Sequence, residues 1–137
     1  MQPKNNINAK NNKVLFDTSA LLALIHKEPG YERLEGLLAS SCISAVNFSE
    51  VIIALTKIGV PQNEIQEVVS VIPEILPFTQ DIGLIAGNLF QTTQELGLSL
   101  GNSACIATAM QNNMIVYTTD KAWAKLNIEG LDIVVIC

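Results

Sequence analysis

VLFDTSALLALIH runs from Val14 to His26. Three apolar residues lead straight into Asp17, Thr18 and Ser19, and an apolar run with helical spacing follows. An apolar strand that ends in a carboxylate has two explanations. Either the acid caps the next helix near Ala20, or the end of the strand is where chemistry is done. The motif alone leaves both open, so the rest of the chain must supply or withhold partners.

Other segments share the signature of that first strand. Val14–Phe16, Ile43–Val46, Ile115–Thr118 and Ile133–Ile136 are short, apolar and rich in β-branched residues, as buried strands are. Ile75–Phe78, between Pro73 and Pro77, is a weaker fifth. Helical patterns fill the gaps. In Thr79–Gly97, Ile82, Ile85, Ala86, Leu89, Phe90, Thr93 and Leu96 fall on one stripe, and Gly97 fits a C-terminal stop. Ser99–Asn112 is apolar nearly all round, which predicts a central helix. Phe48–Ile58 follows the second strand, Gln62–Ile72 follows a break at Gly59–Pro61, and Lys121–Leu126 is short. Glu28–Gly30 separates the first two helices. Strands alternating with helices predict an α/β fold, a three-layer α/β/α domain around a mainly parallel sheet of four or five strands.

The chain has 137 residues, 49% hydrophobic and 15% charged, which suits one domain with one core. That apolar content predicts strands covered on both faces, or a sizeable interface with a partner. No apolar run reaches the roughly 18 residues of a membrane helix. The opening MQPKNNINAKNN has no apolar centre and does not read as a secretory signal. Residues 1–12 are expected to be a disordered or appended tail, 13–137 the domain, and the cytoplasm the location. Cys42, Cys105 and Cys137 share no metal-ligand spacing and read as small buried hydrophobes. His26, the only histidine, ends a helix, so no Ser/His or Cys/His nucleophile pair is available. Thirteen acids against eight bases give a net charge of −5, which disfavours strong unspecific nucleic-acid binding. It leaves room for an enzyme that grips a structured RNA through a few cations, with Lys27, Arg33 and Lys121 as candidate contacts.

In parallel sheets, ligands gather at the carboxyl ends of the strands. Asp17 follows the first strand and Asp120 the strand MIVYTT. Glu50 lies one helical turn beyond ISAVN, in an apolar run where a solvated acid is less expected. Asn102 lies in the first turn of the helix opened by Ser99. Each has a plainer reading: Asp17, Asp120 and Asn102 as caps, Glu50 as a solvated helix residue, Ser19 and Thr118 as ordinary strand-end hydroxyls. Together they place four oxygen-bearing side chains at one end of a sheet. Crowded acids repel, and a hard divalent cation removes that penalty. Such an ion activates water and stabilises charge at a phosphodiester without a histidine or a covalent nucleophile. GLSLGN lacks the spacing and lysine of a phosphate loop. Trp123 reads as a core anchor.

VLFDTSALLALI, SAVNFSEVIIAL, LGLSLGNSACIATAM and MIVYTTDKAWAKL, in this order, closely resemble the four motif blocks of PIN-domain proteins. The spacing and the Ala122–Trp123 pair most resemble the VapC-type ribonuclease toxins of bacterial toxin–antitoxin pairs. The resemblance covers Lys13 to Cys137. It implies an Mg²⁺- or Mn²⁺-dependent endoribonuclease leaving 5′-phosphate and 3′-hydroxyl ends. Asp17, Glu50 and Asp120 would stand in acid positions that hold metal, with Thr118 orienting the cluster and Ser19 in similar work. It also implies a homodimer, or a larger assembly, and a cognate antitoxin whose apolar helix and arginine-bearing tail cover the toxin. One block departs from the pattern: Gly101–Asn102 stands where Gly-Asp is usual. An amide oxygen still coordinates a metal, but one formal charge is gone and the proton-accepting capacity of a carboxylate with it. Asn102 is therefore a weakened fourth member of the catalytic and metal set. Two rivals stand beside the nuclease: a catalytically silent PIN-like module that binds RNA or protein, and a phosphotransfer domain using Asp17. The last lacks the second Asp expected two positions after such a nucleophile.

Overall fold

Val14–Phe16 (β1) forms the middle of the sheet. Ser41–Ser44 (β2) and Ile75–Leu76 (β3) lie to one side, Ile115–Thr118 (β4) and Asp132–Val135 (β5) to the other. The order is β3-β2-β1-β4-β5 and every pairing is parallel. The computed structural model describes residues 10–136. Residues 1–9, most of the expected tail, and Cys137 lie outside the described residues. Lys10 bonds the Gly130 carbonyl at 2.9 Å, and the Asn11 amide bonds the Asn113 carbonyl at 2.8 Å.

Among the described residues six α-helices cover the sheet: Thr18–Ile25 (α1), Tyr31–Glu35 (α2), Ala45–Lys57 (α3), Gln62–Val71 (α4), Gln80–Glu95 (α5) and Leu100–Asn112 (α6). The period-2 geometry of β1 sends its side chains to both faces. Val14 and Phe16 pack with Ile43 and Tyr117 against Leu21, Leu34, Val51 and Leu55 of the first three helices. Leu15 packs with Cys42 and Val116 against Cys105, Ile106 and Ala109 of α6. On that side α5 closes over α6, through Ile82 and Ala86 on Ala107. Helix α6 is thus enclosed by sheet and helix, which is why it is apolar nearly all round. Each fully buried side chain the size of Leu15 or Phe16 contributes about 1.5–3 kcal/mol of transfer free energy. Trp123 anchors the second cluster with no exposure. Cys42 and Cys105 are free and buried. Among the described residues no helix is long and apolar enough to cross a membrane.

Several boundaries differ from the sequence reading. The second strand is Ser41–Ser44, not Ile43–Val46, and its helix starts at Ala45, not Phe48. The Ser44 hydroxyl accepts from the Asn47 amide, 3.1 Å, and this N-cap converts the β-branched Val46 to helix. Strand β3 stops at Leu76, before Pro77, and β5 is Asp132–Val135, not Ile133–Ile136. The short helix after Asp120 is 3-10 in form and spans Lys121–Lys125.

The chain reverses its direction of travel across the sheet at β1. Leaving β1 it moves outward to β2 and β3, then crosses back to β4 on the other side. The carboxyl ends of β1 and β4 therefore flank a topological switch point, where open α/β sheets bind ligands.

Candidate active site

Asp17 is the first residue beyond β1 and only 2% exposed. Its Oδ1 accepts from the Ala20 amide at 2.8 Å and from the Ser19 hydroxyl at 2.7 Å. Its Oδ2 accepts from the Thr118 hydroxyl, at the end of β4, at 2.5 Å. The cap reading of Asp17 is thus true, and it accounts for only one oxygen. Ser19 ties the two strand ends together: its hydroxyl also lies 3.1 Å from Thr118 Oγ1 and accepts from the Thr119 amide at 2.9 Å. Burial pushes the Asp17 carboxyl above its ordinary range. The donors on Thr118, Ser19 and Ala20 oppose that rise, and the charge of Asp120 adds to it.

Asp120 follows two residues beyond β4. Its amide donates to Thr118 Oγ1 at 3.1 Å, and its Oδ1 caps the 3-10 turn through the Ala122 amide at 3.0 Å. Thr118 thus contacts both acids, one by side chain and one by backbone.

Glu50 lies in the second turn of α3. Its Oε1 accepts from the Thr18 hydroxyl at 2.6 Å and from the Asn47 carboxamide at 2.7 Å. The same Asn47 nitrogen donates to the Gly101 carbonyl at 3.2 Å. Gly101 lies against the carboxylate itself: a Cβ there would come within 2.8 Å of Glu50 Cδ. Asn47 is 1% exposed, and its own Oδ1 has no partner. An orphaned buried acceptor costs about 1–3 kcal/mol.

Asp17, Glu50 and Asp120 are thus linked by short bridges, through Thr18 in one direction and Thr118 in the other. Asn102, the next residue beyond Gly101, spends its carboxamide elsewhere. Its Oδ1 accepts from the Ser99 amide at 2.9 Å and the Ser99 hydroxyl at 3.0 Å, closing a capping box at the start of α6. Lys121 follows Asp120 directly and is exposed. Arg33 stacks on Tyr117, its guanidinium carbon 5.7 Å from the ring centre. Lys27 lies two residues beyond the end of α1 and is exposed. Helix α1 starts at the strand ends and runs away from them, and eight residues carry the chain about 12 Å. In the sequence Thr18 stands out only as the residue after Asp17, and neither Asn47 nor the close approach of Gly101 is marked there. The Asn47–Glu50 spacing of one turn is a signal, but only once the helix is started at Ala45.

Among the described residues no lysine, arginine or histidine forms an ion pair with the three acids. Nor do three or more His, Cys, Asp or Glu side chains form a ready-made metal cage there. Glu50 Oε2 and Asp120 Oδ2 receive no hydrogen bond from described residues. Burial pushes the Cys105 thiol well above its ordinary value, and the charges of Asp17 and Glu50 add to that rise. The donors are hard oxygens, and the negative charge is uncompensated. That fits an Mg²⁺-type ion, which uses one or two carboxylates and keeps several waters, better than a soft metal.

The family model that matches this chain is the PIN domain, over residues 14–129. The chain belongs to the PIN domain family. Similar solved structures include a toxin–antitoxin complex from Klebsiella pneumoniae, with 26% identity and a TM-score of 0.68, covering 87% of this chain and 95% of the other. DNA-bound VapBC from Salmonella typhimurium is 20% identical with a TM-score of 0.71, covering 91% and 98%. VapBC2 from Rickettsia felis, bound to a promoter DNA fragment, is 18% identical with a TM-score of 0.71, covering 90% and 98%. No curated protein matches the chain. The PIN domain accounts for the five-stranded parallel sheet and puts Asp17, Glu50 and Asp120 inside the matched span.

Proposed function

We propose that this PIN domain is a VapC-type toxin: an endoribonuclease dependent on Mg²⁺ or Mn²⁺ and held in check by an antitoxin. One observation carries the reading. Three acids joined through Thr18 and Thr118 stand at the switch point of a parallel sheet, and one of them, Asp17, is buried with no cationic side chain paired to it among the described residues.

Asp17, Asp120 and Glu50 would hold the ion. A divalent cation there supplies positive charge to the scissile phosphate and makes water a stronger nucleophile. The residues of the chain do the positioning. Ser19 and Thr118 fix the Asp17 carboxylate, and the Ala122 amide fixes that of Asp120. Glu50 Oε2 and Asp120 Oδ2 are left to ligate or to accept a proton from water. Lys121, next to Asp120, and Arg33, stacked on Tyr117, are the proposed contacts for RNA phosphates, with Lys27 beside them. Asn102 would have to release Ser99 to reach the ion, so its share is small.

The similar structures from Klebsiella, Salmonella and Rickettsia are toxin–antitoxin assemblies. An antitoxin helix finds a suitable surface between α1, α3 and α4. A groove of about 400 Å³ there is lined by Ile25, Leu55, Val60 and Val68 and rimmed by Glu64 and Glu67. An apolar helix with basic flanks complements it. A homodimer and a larger assembly with the antitoxin belong to the same reading, and Leu84, Phe90 and Leu100 expose apolar surface for such contacts.

The test is incubation of the purified protein with total RNA and Mg²⁺ or Mn²⁺. Fragments with 5′-phosphate ends are expected, lost with chelator and with Asp17→Ala. Cleavage that ignores chelator or survives Asp17→Ala contradicts the reading. The commitment of Asn102 to its cap favours one alternative, a silent module that binds RNA or protein. Such a module binds its partner equally with and without Mg²⁺.

A further inference from the structure

We propose that Thr18, Asn47 and Gly101 form a socket that holds Glu50 by one oxygen and presents only the other to the ion. They are positioning residues, and the proposal rests on the nuclease reading above.

The hydrogen bonds all converge on one atom. Thr18 and Asn47 both donate to Oε1, at 2.6 and 2.7 Å. Both partners of the Asn47 nitrogen, Glu50 Oε1 and the Gly101 carbonyl, are acceptors, so the amide orientation is forced. Its Oδ1 is thereby turned into a buried position with no partner. A side chain serving stability alone would be better replaced by an apolar one of similar size. Retaining an orphaned oxygen makes sense where a double donor is needed to bind α3 to α6 and to hold the acid. Gly101 forms the wall opposite. Any Cβ at this position would lie 2.9 Å from Oε1 and closer to Oε2, so the carboxylate would have to leave the socket. Nothing in the backbone requires glycine there, since Gly101 is within the first turn of an ordinary helix. The missing side chain is explained by Glu50.

A carboxylate with Oε1 saturated acts through Oε2 alone, as a one-oxygen ligand or acceptor. Freed from the socket it can rotate, and an ion loses a preorganised partner. Loss of such supporting hydrogen bonds typically weakens metal binding or activity about 10- to 100-fold.

The experiment measures Mn²⁺ binding to the full chain without RNA, from the spectrum of free Mn²⁺, alongside RNA cleavage and thermal unfolding. Asn47→Ala, Thr18→Val and Gly101→Ala are each expected to weaken Mn²⁺ binding by about 10- to 100-fold. Cleavage should fall through kcat, with KM for RNA unchanged. Thr18→Ser, which keeps the hydroxyl, should restore binding. Alanine is a better helix former than glycine, so Gly101→Ala has no backbone reason to unfold. Combined with Glu50→Ala, it should bind Mn²⁺ no worse than Glu50→Ala alone, because the clashing group is gone. Native-like Mn²⁺ affinity in all three variants would overturn the socket, as would losses that multiply in the Gly101/Glu50 pair. A native protein that binds Mn²⁺ and cleaves RNA while the variants match it refutes the socket alone. A native protein that does neither refutes the nuclease reading as well.

Discussion

The Thr118 hydroxyl donates to Asp17 Oδ2 at 2.5 Å, across 101 residues of sequence. It joins the ends of β4 and β1, and the same oxygen accepts from the Asp120 amide at 3.1 Å. One hydroxyl therefore sets the spacing of two acids.

Replacing Thr118 by valine keeps the shape and removes the donor. The buried Asp17 carboxyl then loses the Thr118 donor on Oδ2. A bond to a charged group is worth about 1.5–3 kcal/mol, and urea unfolding at pH 7 should show a loss of that order. A smaller loss is expected in acid, where the carboxyl carries a proton. Equal stability of the two proteins at neutral pH would show that the bond contributes nothing.

Asp17 itself should depress the stability of the metal-free protein. Its folded pKa is raised from 3.8, chiefly by burial. The folded state therefore keeps the proton over a range where the unfolded chain has released it. Stability falls as pH rises from near 3.8 through the raised value, and the full cost is present above it. Asp17→Asn removes that titration. Its amide oxygen still accepts from Ser19 and Ala20, and its nitrogen faces Thr118 Oγ1, which is free to donate to Ser19 instead. Asp17→Asn should melt higher than the native protein at pH 7 without metal, and the gap should close toward pH 4. A variant less stable at pH 7 than at pH 4, relative to native, would reverse the sign.

Asn102→Asp leaves the capping box intact, because a carboxylate accepts from the Ser99 amide and hydroxyl equally well. An acid in the first helical turn also gains about 0.3–1 kcal/mol from the helix dipole. The change adds one charge beside the cluster. Tighter Mn²⁺ binding and faster metal-dependent cleavage are expected, with the fold unchanged. Identical affinity and rate in the two forms would exclude position 102 from the ion.

The described thiols should be inert. Cys42 is buried, and burial with the neighbouring Glu74 pushes its thiol up to about 11. Cys105 is pushed up by burial as well. The thiolate is the reactive form, so iodoacetamide on the native protein should leave Cys42 and Cys105 unlabelled. Mass spectrometry showing labels on Cys42 or Cys105 before unfolding would contradict their placement.

The parts of the site written in strand ends were legible in sequence. Asp17 and Asp120 follow β-branched runs, and parallel topology then fixes which end of the sheet they share. The enclosed α6 was legible for the same reason, since a helix apolar nearly all round must be covered. What failed was local competition. ISAV has strand propensity, but the Ser44 hydroxyl caps the backbone two residues before that run ends, and the helix starts early. Starting it late hid Asn47, whose role depends on standing one turn before Glu50. The packing of Gly101 on Glu50 joins residues 51 positions apart (101 minus 50), and no local pattern encodes it.

The most direct test is the backbone amide spectrum of the full chain under substoichiometric Mn²⁺, whose paramagnetism broadens nearby signals. Broadening should appear first at Asp17–Ala20, at Glu50, around Gly101 and at Thr118–Ala122, and should spare Lys27 and β3. Broadening that centres instead on surface acids such as Glu64 and Glu67, or that is absent, would contradict a shared ion site at the ends of β1 and β4.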